Sequence, residues 1–223
     1  MTFSLVARCA ETGQFGMVIS SSSPAVAARC AHARAGVGAV ASQNVTDPRL
    51  GPAALDLMER GASAAEAVAI LVRGMAQPDY RQLIAVDRLG GVAIHSGAKA
   101  LGTWAEARGK NCAAGGNLLS FHGVPAAMVA GFEAAPGSLG DRLMVALRTG
   151  LAEGGEAGPV HSAGLLVVDQ ESWPFVDLRI DWAEDPIGAL ASAWDVYKPQ
   201  AADYVTRALN PVAAPSYGVP GDE

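Results

Sequence analysis

The chain has 223 residues, of which 50% are hydrophobic and 17% are charged. This composition is typical of a compact globular protein with a sizeable core, and it excludes a disordered chain. The formal net charge of −6 gives no electrostatic reason to expect a nucleic acid or an anionic membrane surface as a partner.

The three cysteines are Cys9, Cys30 and Cys112, and their spacing matches neither a disulfide framework nor a zinc ribbon. The four histidines are scattered without the spacing of metal ligands. The start of the chain has no basic segment followed by a long apolar stretch, and no apolar run reaches membrane-spanning length. We therefore expect a cytoplasmic protein without a metal, a cofactor or a transmembrane segment.

The first elements of the chain are predicted to be strands. Residues 2–8 and 15–20 alternate with the period of a β-strand, and the segment 11–13 between them favours a turn. These two strands are predicted to form an antiparallel hairpin. Four consecutive serines, Ser20–Ser23, lie at the end of the second strand, and a third strand is predicted over 35–44.

A pair of helices and a group of short strands are predicted next. Ser63, with Glu66 three residues later, has the pattern of a capping box and predicts the start of a helix. The predicted elements are a helix over 50–60, a helix from Ser63, strands over 81–87, 91–96 and 111–114, and a glycine-rich loop over 115–119.

The last part of the chain predicts a second pair of helices, a second hairpin and a final helix. Leucine recurs at every fourth position from Leu139 to Leu151, and Ser138 with Asp141 resembles a capping pair. The predicted elements are helices over 124–134 and 139–153, strands over 162–169 and 174–181, a short helix over 186–197 and a proline-rich tail from Asn210.

The order of these elements indicates the fold class. Hairpins dominate, and there is no regular alternation of strand, helix and strand. This order predicts an α+β protein, a four-layer αββα sandwich of antiparallel sheets covered by paired helices. No internal repeat or linker is visible, so we expect one domain over residues 1–223.

Thr2 is the first candidate for a chemical role. A small residue at position 2 allows methionine aminopeptidase to remove Met1, which leaves a threonine with a hydroxyl and a free α-amine. This pair is a nucleophile and a base within one residue, although an ordinary strand start is the alternative. Antiparallel pairing brings the end of one strand beside the start of the other, so Ser20–Ser23 should lie near Thr2.

Several segments together point to a family: TFSLVA, ARAGVGAVASQNVTDPRLGP, YRQLIAVD, CAAGGNLL, GGEAGP and VDLR. Over nearly the whole chain they resemble the bacterial domain-of-unknown-function family ten-twenty-eight. Members of that family look like N-terminal-nucleophile (Ntn) hydrolases, the superfamily that includes proteasome β-subunits and amide-cleaving acylases. The resemblance implies an Ntn fold and hydrolysis of a small amide by an N-terminal threonine.

The resemblance also implies roles for individual positions. Thr2 matches the nucleophile, and Ser22 lies where the second strand ends and a polar partner is usual. The segment 42–44 matches the strand end whose backbone amide commonly forms an oxyanion hole. The segment 115–117 resembles the glycine-rich turn that faces the nucleophile's amine, and 161–162 matches a polar turn near the same amine.

These comparisons define the candidate site. The candidate catalytic residues are Thr2, Ser22, Asn44 and Asn117, and the candidate substrate-binding residues are Ser20, Gln43, Arg29, Arg81, Gly116, His161 and Ser162. Arginine outnumbers lysine in this chain, which favours a carboxylate-bearing substrate held by Arg29, Arg81 or Arg179. The chain departs from the proteasome type because no lysine lies near the third strand, where Arg29 or Arg34 could supply positive charge.

Three hypotheses follow from the sequence. The leading one is a small-amide hydrolase with Thr2 as nucleophile and base, forming a homo-oligomer as is common in the superfamily. The second is a non-catalytic small-ligand-binding or regulatory protein that retains Met1. The third is a conventional enzyme that uses Ser22 or His161 while Met1 is retained.

Overall fold

The computed structural model describes residues 2–221 of the chain. Met1, whose removal the sequence predicts, lies outside the described residues. The strands are β1 (Thr2–Arg8), β2 (Phe15–Ser21), β3 (Ala31–Arg34), β4 (Gly38–Asn44), β5 (Arg81–Asp87), β6 (Val92–Ser96), β7 (Ala105–Gly109), β8 (Cys112–Asn117), β9 (Ser162–Val168) and β10 (Val176–Ile180). The helices are α1 (Val26–Cys30), α2 (Leu50–Glu59), α3 (Ala64–Gly74), α4 (Val124–Ala134), α5 (Leu139–Ala152), α6 (Pro186–Tyr197) and α7 (Ala201–Leu209).

The strands form two antiparallel sheets, which confirms the predicted α+β class. The larger sheet has the order β10-β9-β2-β1-β8-β7, and the smaller one has the order β3-β4-β5-β6. The predicted N-terminal hairpin is present, with Phe3 opposite Ser20 and Arg8 opposite Phe15. Strand β1 therefore lies inside the larger sheet, between β2 and β8.

Alternate side chains of β1 are buried in two different apolar clusters. Phe3 and Leu5 pack in one cluster with residues of α4, α5 and α6, such as Phe132. Val6 packs in a second cluster with residues of the smaller sheet, such as Ile84. Because successive side chains of a strand point to opposite faces, one face of the larger sheet meets helices and the other meets the smaller sheet.

A third apolar cluster covers the other face of the smaller sheet. Val40 of β4 and Ala85 of β5 pack there against Leu55 of α2 and Val68 of α3. Fully burying an aliphatic or aromatic side chain of this size contributes roughly 1.5–3 kcal/mol, so the three clusters together supply the main stabilisation of the fold.

The starts of α3 and α5 follow the capping signals in the sequence. Ser63 and Glu66 form a complete capping box at α3, and Ser138 and Asp141 form another at α5. The side chain of Asp185 caps α6 by accepting a hydrogen bond from the backbone of Gly188. Such caps satisfy backbone N–H groups that have no partner within the helix, and each typically contributes about 1 kcal/mol.

Two short strands and two helices were not expected from the sequence. β3 and α1 lie between the serine cluster and β4, β7 is an edge strand that carries charged side chains, and α7 follows α6. The predicted strand over 35–44 is shorter and begins only at Gly38. The segments β3, α1 and β7 are short, and pairing or packing against neighbours decides their structure. Helix α7 has apolar residues at Ala202, Val205 and Leu209, a helical period that the sequence prediction missed.

The expected loop over 115–119 was wrong in its first part, because Gly115–Asn117 continue β8 and pair with β1. Glycine is disfavoured in strands, which is why a loop was predicted. At Gly115, however, there is no space for a side chain. A Cβ atom on Gly115 would lie 2.9 Å from Cδ1 of Ile84 in the smaller sheet. Close approach of the two sheets therefore requires glycine at this point.

Within residues 2–221, none of the helices has both the length and the apolar character needed to cross a membrane.

Gly38→Ala tests the close packing of β4 against β5. A Cβ atom on Gly38 would lie 2.3 Å from the carbonyl oxygen of Val86, so the backbone must shift. We expect the free energy of unfolding, measured by urea denaturation, to fall by about 2–3 kcal/mol. Gly74→Ala is the matched control, since no atom lies within 4 Å of its Cβ position. An equal loss in both variants would contradict this account.

Candidate functional site

Four polar side chains form a row across the larger sheet at the end where β1 begins. Thr2 lies opposite Asn117 of β8, and Ser21 of β2 lies opposite Ser162 of β9. Because Phe3 lies opposite Ser20, the same register places Thr2 beside Ser21. Neighbours across paired strands share a face, so the row points towards the smaller sheet, as Val6 does. All four are buried, and Thr2 is 4% exposed.

Two glutamines of the smaller sheet meet this end of the larger sheet. Ser4 Oγ donates to Oε1 of Gln43 at 2.6 Å, and Gln43 Nε2 donates to Oε1 of Gln82 at 2.7 Å. Gln43 Nε2 also donates to the carbonyl oxygen of Gly115 at 3.2 Å. Hydrogen bonds between buried side chains therefore link β1, β4, β5 and β8 directly beside Thr2.

Gln82 is the centre of this polar network. Its Nε2 donates to Ser96 Oγ at 2.9 Å and to the carbonyl oxygen of Gly116 at 3.3 Å. Its Oε1 also accepts from Asn117 Nδ2 at 3.2 Å. A Cβ atom on Gly116 would lie 3.0 Å from the carbonyl oxygen of Thr2, so glycine here permits the close approach.

Asn117 contributes a buried acceptor to the site. Its side chain is 0% exposed, and its Oδ1 has no hydrogen-bond partner among residues 2–221. Buried amide oxygens are normally paired, so an unpaired one beside Thr2 marks a place where a donor would be favourable.

Serines on the β2 side of Thr2 hold the turn that follows β2 through hydrogen bonds. Ser162 Oγ donates to the carbonyl oxygen of Ser23 at 2.6 Å and accepts from the backbone of Val26 at 3.2 Å. Ser20 Oγ donates to the carbonyl oxygen of Ser162 at 2.9 Å. Ser20 shares the face of Phe3 and points away from the polar row, so its bond holds β2 against β9.

His161 lies at the entrance to β9. Its backbone donates to the carbonyl oxygen of Ser21 at 2.8 Å, and its ring stacks on Trp182 with 4.4 Å between centroids. Nδ1 of His161 lies 3.2 Å from the carbonyl oxygen of Ala183. Because a carbonyl oxygen only accepts, a hydrogen bond here requires that Nδ1 carries the proton. Trp182 is 58% exposed, so the stacked pair forms an aromatic surface at this edge.

Glu156 also belongs to this region, although it was not among the residues predicted from the sequence. Both carboxylate oxygens accept from the backbone N–H of Ser22, at 3.1 Å and 3.2 Å, and the residue is 5% exposed. Burial raises the pKa of Glu156 to about 7, although the hydrogen bonds from the side chain and the backbone of Ser22, the charge of the N-terminus and the charge of His161 lower it. Its signal in the sequence was a single acidic residue inside the glycine-rich segment GGEAGP.

Asn44 and Arg81 hold the loops at the end of the smaller sheet. Asn44 has a left-handed backbone with φ of 71°, donates to the carbonyl oxygen of Tyr80 at 2.6 Å and accepts from the backbone of Leu101 at 3.2 Å. Arg81 Nη1 donates to the carbonyl oxygen of Val45 at 2.6 Å.

The other arginines are engaged elsewhere. Arg29 donates to the carbonyl oxygens of Pro24 and Ala25 and so closes its own turn. Arg179 forms a bidentate pair with Asp177 on β10, at the edge of the larger sheet and three strands from β1.

No group of three or more His, Cys, Asp or Glu side chains within residues 2–221 is placed to hold a metal ion. The described part of the site is built from hydroxyls, amides and one buried carboxylate.

Gln82→Met tests the buried network. Methionine fills a similar volume but leaves the amides of Gln43 and Asn117 and the hydroxyl of Ser96 without this partner. We expect the free energy of unfolding to fall by about 2–3 kcal/mol, because unsatisfied buried polar groups are costly. Gln170→Met, on an exposed glutamine, should change it by less than about 0.5 kcal/mol. Similar denaturation midpoints for both variants would contradict a structural role for the network.

Glu156→Gln tests the buried carboxylate through the pH dependence of stability. Its pKa rises from 4.5 to about 7 on folding, so the folded state binds more protons than the unfolded state between these values. The free energy of unfolding should therefore fall by about 3 kcal/mol as the pH rises through this window. Glu156→Gln should remove that slope, and Glu153→Gln, on an exposed neighbour, should keep it. A slope that persists in Glu156→Gln would refute the shift.

Comparison with known proteins places the chain among relatives. The model of a family described as "Family of unknown function (DUF1028)" matches residues 2–190. A search of curated proteins finds no match. The crystal structure of protein SPO2555 from Silicibacter pomeroyi, assigned to the same family, has a TM-score of 0.84 and 29% identity. The alignment covers 91% of this chain and 92% of that one.

Two structures of Anbu proteins are more distant. Anbu (ancestral beta-subunit) from Yersinia bercovieri has a TM-score of 0.40 and 10% identity, over 92% of this chain and 97% of that one. The Gly-1 mutant of Anbu from Hyphomicrobium sp. strain MC1 has a TM-score of 0.38 and 11% identity, over 90% and 96%. These two scores are too low to carry a conclusion. The match over residues 2–190 and the likeness to SPO2555 show that the chain belongs to the DUF1028 family.

Proposed function

We propose that this protein hydrolyses a small amide, with Thr2 as nucleophile and its α-amine as base once Met1 is removed. The observation that carries the proposal is the position of Thr2. It is the first residue of an interior strand, it is buried, and it lies beside Ser21 and Asn117 at the polar end of an otherwise apolar space between two sheets. A strand start with only a structural role needs no such polar surroundings.

The packing supports an Ntn-type architecture as part of the proposal. Helices α4 and α5 cover one face of the larger sheet, the smaller sheet covers the other, and α2 and α3 cover the far face of the smaller sheet. We infer a four-layer αββα sandwich that forms one domain over residues 1–223. All three cysteines are free and buried, which agrees with a reducing compartment such as the cytoplasm.

The proposed reaction uses groups within one residue. The reference pKa of an α-amine is about 8, so a modest downward shift makes it a competent base near neutral pH. Thr2 Oγ attacks the amide carbon as its proton passes to the amine. The amine then returns that proton to the leaving nitrogen as the C–N bond breaks, which leaves an ester on Thr2. Water hydrolyses this ester with the same amine as base and releases a carboxylic acid.

The surrounding polar groups supply what the reaction needs. Asn117 Oδ1 is a buried acceptor for a donor on the substrate or on Thr2. The end of β4 at Asn44 stays the proposed source of a backbone donor for the oxyanion, a kind of contact whose loss typically costs on the order of a hundredfold or more in rate. Ser22 and His161 lie at the turn on the other side of Thr2.

A carboxylate-bearing substrate is the proposed substrate class. Arg81 lies at the same end of the smaller sheet as Asn44, its partner in the β4–β5 register. Its Nε is buried and has no hydrogen-bond partner among residues 2–221, while its Nη1 binds a carbonyl oxygen. Along β5, Arg81 alternates with Gln82 and shares the face of Ala85. Its side chain thus starts on the face of the smaller sheet that is turned away from Thr2. The proposed substrate class therefore rests on the arginine-rich composition of the chain.

Thr2→Ala tests the nucleophile. The chain that begins at position 2, verified by intact mass, is incubated with a β-lactone probe and with a panel of small amino-acid amides. We expect Thr2 to be acylated and hydrolysis to fall by at least about a thousandfold in Thr2→Ala, because the attacking oxygen is lost. Thr2→Ser, which keeps a hydroxyl and an amine, should retain measurable turnover and labelling.

The matched controls are Thr12→Ala, on an exposed turn, and the chain that retains Met1. The first should be labelled normally, and the second should not react because its Thr2 has no free amine. Labelling or turnover that survives Thr2→Ala would remove Thr2 from the mechanism.

A second candidate function is non-catalytic binding of a small ligand. It is favoured by a cavity of about 580 Å³ at the other end of β1, lined by Arg8, Lys110 and Arg142 together with Glu11 and Glu133. This hypothesis predicts ligand binding that survives Thr2→Ala and does not require removal of Met1.

A further inference from the structure

Glu156 lies across the open end of β1. On one side of β1, its carboxylate accepts a hydrogen bond from the backbone N–H of Ser22. Ser22 directly follows Ser21, which lies beside Thr2. On the other side, the backbone of Glu156 pairs with Leu119, two residues after the Asn117 partner of Thr2. Glu156 therefore bridges the two strands that flank β1, at the end where the α-nitrogen of Thr2 lies.

The loop that carries Glu156 is fixed by its backbone. Ala157 donates to the carbonyl oxygen of Leu118 at 3.0 Å, and Ser120 donates to that of Gly155 at 3.1 Å. Gly154 and Gly155 have φ values of 126° and 56°, which L side chains rarely adopt. The glycine-rich sequence and these bonds thus fix the backbone of Glu156 at the end of β1, and the bond to Ser22 holds its carboxylate.

The Glu156 carboxylate is buried and has few hydrogen-bond donors. Both of its oxygens accept from the backbone N–H of Ser22, and the Ser22 side chain adds a further hydrogen bond. These donors from a single residue do not fill the four acceptor positions of a carboxylate. A buried carboxylate in this state favours an additional donor or a nearby cation. A free α-amine at the start of β1 would supply such a group.

We propose that Glu156 is a positioning residue for the α-amine of Thr2 in the chain without Met1. Its carboxylate accepts a hydrogen bond from the amine, directs the nitrogen lone pair towards Thr2 Oγ, and stabilises the ammonium that forms when the amine takes the hydroxyl proton. Nucleophile, base and carboxylate then follow the logic of a catalytic triad. This inference rests on the proposed function.

The electrostatics agree with this geometry. Burial holds the pKa of Glu156 at about 7, against the opposing effects of the Ser22 side chain, the charge of the N-terminus, the Ser22 amide and the charge of His161. An ammonium beside it would favour the ionised carboxylate, and the carboxylate would in turn raise the pKa of the amine. Burial at the start of β1 acts in the opposite direction and lowers the pKa of the amine towards neutrality. His161 is the titratable side chain that also acts on Glu156, so its state is followed in the same experiment.

The test measures the amine directly and needs no substrate. Protein beginning at Thr2 is labelled with ¹⁵N-threonine, and the α-amine ¹⁵N shift is titrated by NMR between about pH 5 and pH 10. His161 is followed by its ring protons. We expect Glu156→Gln to lower the pKa of the amine by about one unit or more. Glu156→Asp, which keeps the charge on a shorter side chain, should give an intermediate value, and the exposed control Glu153→Gln should change nothing.

The outcomes separate this inference from the proposed function. An amine pKa that is equal in the wild type and Glu156→Gln, or that falls equally in Glu153→Gln, would overturn the inference even if hydrolysis depends on Thr2. A shifted amine in a protein that hydrolyses no amide would uphold the inference and count against the proposed function. If Glu156→Gln does not fold, Glu156→Asp decides, and an unchanged amine pKa in that variant also overturns the inference.

Discussion

The requirement that buried amides be hydrogen-bonded determines this end of the molecule. Gln43 and Gln82 stand in a space that is otherwise filled by apolar side chains such as Val6 and Ile84. Each unpaired amide there would cost about 1–3 kcal/mol, so the two sheets must meet in the one arrangement that pairs them. Apolar packing alone would allow the two sheets to slide past one another. The hydrogen bond from Gln43 to the carbonyl oxygen of Gly115 prevents this, because it requires a fixed position.

The same constraint gives the site two unlike sides. Towards β8, Thr2 borders the amide network, whose members are held from both sheets. Towards β2, it borders a turn that Ser162 and the Glu156 carboxylate fasten through backbone groups. The side chain of Thr2 therefore has neutral donors and acceptors on its β8 side and an ionisable group on its β2 side. This arrangement suits a reaction step in which a proton is transferred.

Interactions between residues that are close in the sequence were predicted, and most interactions between distant residues were not. The period-two pattern of residues 2–8 and 15–20 predicted the hairpin, and the serine–acid pairs predicted the starts of α3 and α5. The roles proposed for Ser22, Asn44 and Arg81 stay predictions. Gln82 and Glu156 were missed as site residues, because a lone glutamine in a strand and a lone glutamate in a loop carry no pattern of their own.

The sequence by itself determined the local elements, the helix caps and the threonine at the start of the first strand, since these depend on residues a few positions apart. Tertiary structure decided that Gly115–Asn117 are strand and that Ser21, not Ser20, shares the face of Thr2. It also decided that Glu156 is buried beside Ser22. The physical reason is that strand pairing and burial join residues far apart in the chain, and their register depends on how the sheets pack.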